Sequence, residues 1–96
     1  MTSTRSADHL LAFFLMLSVP LRVMEYKRRG GPQDEDFDRV RGFAQVLAEK
    51  GDRLLYKSDV PGETADIANR TADAIAVMSF LPGGITLFGE HWESNV

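Results

Sequence analysis

Positions in the middle of this chain that suit a buried face recur in strict alternation of three and four: Phe37, Val40, Ala44, Leu47, Gly51 and Leu54. That interval places one residue per turn along a single side of an α-helix, whereas a strand repeats every second residue. A chain with such a seam folds as helix against helix. The alternation returns at Ile67, Thr71, Ala74, Met78 and Leu81, where Ala65, Ala68, Ala72 and Ala76 add a stripe of small residues that admits a close neighbour. A third seam lies near the N-terminus, in Leu10, Phe13, Phe14, Leu17, Leu21 and Met24.

Turn chemistry divides these seams. Lys27, Arg28 and Arg29 suit the carbonyl end of a first helix, Gly30 and Gly31 supply a left-handed stop, and Pro32 prevents continuation. Ser6 or Asp8 can cap its start, and Pro20 must kink or split it. A second helix opens on Asp34, Glu35, Asp36 and Asp38 and runs through Gly51 to about Tyr56; a competing reading ends it at Lys50 and makes Arg53–Lys57 a short strand. Pro61 opens a third helix, and Leu81-Pro-Gly-Gly84 ends it. The 96 residues leave no room for a second core. The expected fold is therefore all-α: one domain spanning 1–96, a three-helix bundle over about 6–29, 34–56 and 61–80, with a short C-terminal extended segment or strand at 85–88.

The first helix has more apolar surface than such a bundle needs. Beside its seam runs a second stripe of Leu11, Leu15, Val19 and Val23, and Phe43, Val46, Ile75 and Val77 repeat the excess on the other helices. Two neighbours can hardly cover a helix that is apolar all round, and an uncovered contiguous patch marks an interface. The tail, with Leu87, Phe88 and Trp92, shows no obvious strand partner of its own. Self-association follows as an expectation, a dimer favoured, with Leu11, Phe14, Leu15, Val19, Phe88 and Trp92 as interface candidates and another protein as a possible partner.

Composition narrows the rest. The absence of cysteine removes disulfides, thiolate metal sites and a cysteine nucleophile, and suits a reducing, cytoplasmic setting. The net charge of −3 is uneven: residues 1–33 carry five Arg/Lys against two Asp/Glu, and residues 34–66 nine acids against five bases. An acidic whole opposes non-specific nucleic-acid binding. Arg22, Lys27, Arg28 and Arg29, with Tyr26 as a stacking neighbour, sit where a helix C-terminus attracts cations anyway. Leu10–Leu17 is too short to span a membrane, and the run lacks a signal-peptide cleavage site.

Two acidic motifs, Glu35-Asp-Phe-Asp38 and Glu63-Thr-Ala-Asp66, each put two carboxylates on one side of a helix start. The pattern resembles the paired acidic motifs of the all-alpha nucleoside triphosphate pyrophosphohydrolases. The resemblance covers about eight residues and departs from the family in placing its first motif at a helix start without a preceding extra glutamate. It implies Glu35, Asp38, Glu63 and Asp66 as magnesium ligands, with Lys57 or Arg70 near the phosphates. Against it stands the ordinary role of acids at helix N-termini, capping and dipole compensation. Asp66, Asn69, Arg70 and Asp73 form a polar face that either binds a ligand or is simply solvated. His9 and His91 have no second histidine at ligand spacing, and no serine has an identifiable base. The leading expectation is a helical interaction protein with no catalytic residues, cofactor or metal; the alternative is a magnesium-dependent phosphohydrolase.

Overall fold

The computed structural model of the chain describes residues 10, 13–50, 63–87 and 90–93. Within these, three helices pack as a bundle: α1, Val19–Arg28; α2, Asp34–Lys50; and α3, Glu63–Met78. A short hairpin follows, in which β1 (Ile85–Leu87) pairs antiparallel with β2 (Glu90–Trp92), Thr86 opposite His91. The segment at 85–87 thus has a partner within its own chain, so it needs no second subunit to pair with.

The first helix is split, and Pro20 is the reason. Residues 13–17 are helical, Ser18 is a turn, and α1 begins with Pro20 in its opening positions, where a missing N–H costs nothing. The Ser18 N–H bonds back to the Leu15 carbonyl at 3.1 Å, a tightened turn that the Ser18 hydroxyl reinforces by donating to the same oxygen. At the other end, Gly31 N–H reaches the Tyr26 carbonyl at 2.7 Å and Gly30 N–H the Lys27 carbonyl at 3.0 Å. This paired closure needs a left-handed residue after the helix, and Gly30 and Gly31 have φ of 91° and 93°.

The start of α2 is a half capping box. The Asp36 carboxylate accepts the Gln33 N–H at 2.9 Å, so a first-turn acid satisfies an otherwise orphan donor. Continuation of this helix through Gly51 to Tyr56, and the strand alternative at 53–57, lie outside the described residues. So do the Ser6 and Asp8 caps and the Pro61 start.

The core centres on α3. Ala68, Thr71, Ala72, Ala74, Ile75, Ala76 and Val77 are all fully buried, joined by Val19 and Tyr26 from α1 and Val40 and Ala44 from α2. Both expected sides of α3, the Thr71–Ala74 seam and the alanine stripe, point inward. So do Ile75 and Val77, which the sequence suggested as surplus: α3 satisfies its excess inside the chain. Phe37 and Phe43 of α2 are half-buried against the same cluster.

Candidate functional site

On α1 the expected sides are exchanged. The face that packs inward carries Val19, Val23 and Tyr26, extended by Leu15 and Met16 in the preceding turns; Leu15 packs on Ala68. Val19, anticipated as an interface residue, is 1% exposed, so it belongs to the core and leaves the interface set. Leu15 is half-buried for the same reason. The seam anticipated as core instead faces out: Leu10, Phe13, Phe14, Leu17, Leu21 and Met24 are each 56–68% exposed. Of the remaining interface candidates, Phe14 is on this outward seam, Leu11 and Phe88 lie outside the described residues, and Trp92 is placed only as a backbone position in β2.

Polar contacts explain why this side of α1 turns inward. Tyr26 donates its hydroxyl to Asp73 Oδ1 at 2.6 Å, and Arg22 Nη2 donates to Asn69 Oδ1 at 2.7 Å. Both pairs are four apart on each helix, one turn each, and both rise together, so α1 and α3 run in the same direction. Arg39 of α2 joins them, donating to Tyr26 Oη and to Asp73 Oδ2 at 3.0 Å each, and to Asp36 at 2.8 Å. One guanidinium therefore ties three helices together. Burial, then the Asp73 carboxylate beside it, hold the Tyr26 phenol above its ordinary pKa of 10.0. The Gln33 N–H and then Arg39 hold the Asp36 carboxyl below the usual range, and Asp36 and Asp73 raise Arg39. The Arg39–Asp73 ion pair is part of this network.

These contacts absorb four of the residues singled out for chemistry. Asn69 and Asp73, two of the polar face on α3, are spent on helix packing, as are Arg22 and Tyr26. Asp66 and Arg70 form an exposed surface pair at 3.3 Å. Arg28 pairs with Glu25 at 3.1 Å, and Arg29 lies 4.7 Å over one face of the ring of Tyr26, a residue buried in the core and so not open to stacking by a base. A shallow groove of about 400 Å³ opens between Arg39, Val40, Phe43, Arg70 and Asp73, but Arg39 and Asp73 are already engaged with each other there.

The two acidic motifs are not brought together. Arg39 of α2 meets Asp73, and the groove sets Val40 and Phe43 beside Arg70, so residue numbers rise on α2 as they fall on α3. The helices are antiparallel, with Glu35 and Asp38 at one end and Glu63 and Asp66 at the other. Asp66 alone is two turns, about 10 Å, from Asp73 along the axis. All four acids are exposed, Asp38 pairs with Arg41 at 3.5 Å, and among the described residues no three acids or histidines gather as a metal site. A magnesium ion shared by the four carboxylates, the expectation drawn from the pyrophosphohydrolase resemblance, is incompatible with this placement. Lys57 and His9 lie outside the described residues, and His91 is a backbone position in β2.

The site the structure offers is thus the outward seam of six apolar side chains. Among the described residues no helix is long and apolar enough to cross a membrane. No family model matches the sequence, and neither the curated proteins nor the solved structures include a match.

Proposed function

We propose that this protein is a helical interaction protein, not an enzyme, that self-associates as a dimer through the outward seam of α1 and the turns before it. The observation that carries the proposal is the seam itself. Side chains of this size offer on the order of 200 Å² each, so six at slightly over half exposure present on the order of 700 Å² of apolar surface. The largest apolar patch on a typical monomer is about 300–600 Å². Two such seams together bury about 1,400 Å², the size class of specific, stable interfaces. A seam in heptad spacing is also the surface another helix of the same spacing fits. The lack of cysteine agrees with a cytoplasmic setting.

The test is solution mass by light scattering over a range of concentrations, for the wild type and for the double variant Leu17→Glu, Leu21→Glu. The wild type is expected at twice its chain mass of 10.7 kDa. The double variant is expected at the single-chain mass with an unchanged helical circular dichroism spectrum, because both positions are more than half exposed within one chain. A wild type that stays at the single-chain mass throughout, or a variant that remains dimeric, overturns the proposal.

A further inference from the structure

We infer that the two copies meet as an antiparallel pair about a two-fold axis beside Leu17, with Leu10 of one chain opposite Met24 of the other. This rests on the self-association proposed above and specifies its geometry.

The spacing carries the inference. Leu10 and Met24 lie seven residues before and seven after Leu17, and Phe13 and Leu21 lie four before and four after. Phe14 and Pro20, three to either side, are both exposed. A seam that reads alike in both directions from its middle is covered end to end when a reversed copy is laid on it about that middle. Sliding the copy either way leaves a leucine or methionine of one end in water, at a loss proportional to the apolar area left uncovered.

A parallel pair would also cover the seam, and charge separates the two arrangements. Lys27, Arg28 and Arg29 close α1 against a single acid, Glu25. Parallel packing sets two such cationic ends side by side, at the 8–10 Å of packed helices and so within about one Debye length at 0.1 M salt. It also aligns the two helix dipoles. Reversal moves the cationic ends to opposite ends of the seam and opposes the dipoles.

Because the chain has no cysteine, introduced thiols report alone. Full-length Leu10→Cys and Met24→Cys are weighed in reduced form, mixed in equal amounts, allowed to exchange subunits and oxidised. Intact mass then distinguishes the three possible disulfide-linked dimers. The mixed product, a Leu10→Cys chain linked to a Met24→Cys chain, is expected to exceed either same-site product several-fold. Each variant alone is expected to stay largely unlinked. Should either substitution weaken association, Phe14→Cys with Pro20→Cys forms a second pair for the same measurement. Linkage of Leu10→Cys to itself overturns the antiparallel arrangement and leaves self-association standing. A wild type of single-chain mass overturns the underlying proposal and this one with it. A dimeric wild type whose thiols link in neither pattern places the dimer on another face and overturns both.

Discussion

Replacing Tyr26 by Phe removes one hydroxyl and nothing else from the junction of three helices. The oxygen donates to Asp73 at 2.6 Å and accepts from Arg39 at 3.0 Å, while the ring is packed edge-on to Phe80 with centroids 6.4 Å apart. A hydrogen bond to a charged partner contributes about 1.5–3 kcal/mol. Here Asp73 and Arg39 keep each other at 3.0 Å and are partly exposed, so water replaces part of what is lost. The expected cost is accordingly at the low end, about 1–2 kcal/mol, or a fall in Tm of about 5–10 °C for a domain of this size. The pH dependence supplies the sign. The folded phenol titrates above its ordinary 10.0, so its contribution is fully present below about pH 10 and is lost as pH rises through the folded value. Thermal unfolding followed by circular dichroism, at neutral pH and in steps above pH 10, should show a gap between wild type and variant that closes with rising pH. Equal Tm values at neutral pH, or a gap that widens with alkalinity, would refute the assignment of Tyr26 as the bonded link between α1 and α3.

Three further outcomes are expected. Gly42 lies within α2 with open space where a Cβ would go, so Gly42→Ala should stabilise by about 0.5–1 kcal/mol in urea unfolding; a loss of stability would contradict a helical, uncovered position there. Ala72 is fully buried in the core, and Ala72→Leu should cost about 1–3 kcal/mol by overpacking, whereas no change would mean that α1 and α3 are less closely packed than the structure has them. Asp36 has a folded pKa below its unfolded one, so its contribution is present above about pH 4 and is lost as pH falls through the folded value. Asp36→Asn should therefore flatten the acid limb of the stability curve below pH 4, and an acid limb as steep as the wild type's would speak against the capping role.

Three features of the fold are written in local chemistry and could be read from the chain alone. Gly30 and Gly31 end α1 because only a residue tolerant of positive φ closes that paired hydrogen bond, and a Gly-Gly-Pro triplet states this without any tertiary context. The acids at the start of α2 are partly a cap, as Asp36 shows. Pro20 stated that the first helix is interrupted, though not that Ser18 would take the turn. What could not be read was which side of α1 faces in. Both stripes have helical spacing and both are apolar, and the hydrophobic effect, being non-directional, favours the larger one. By that measure the Leu-Phe-Met seam was the core and Val19 the outside, and the structure has them exchanged.

The exchange has a physical cause that lies on α3. Its inner surface is lined by Ala68, Ala72 and Ala76, which allow a close approach, and close approach suits the smaller Val19 and Val23 better than a row of phenylalanines and leucines. It also brings Arg22 and Tyr26 within bonding reach of Asn69 and Asp73, two polar pairs in matching i, i+4 register that the opposite side of α1 cannot make. Asn69 and Asp73 from the polar face, and Arg22 and Tyr26 from the stretch read as a cationic helix end, are the two halves of one interaction, and neither half signals its partner when read alone. Once the smaller face is committed inward, the larger one has no place left inside the chain. The outward seam is therefore a consequence of the alanines and the Tyr26–Asp73 pair: the same residues that specify the packing within the chain leave six large apolar side chains exposed, and these are the surface that the proposed dimer would cover.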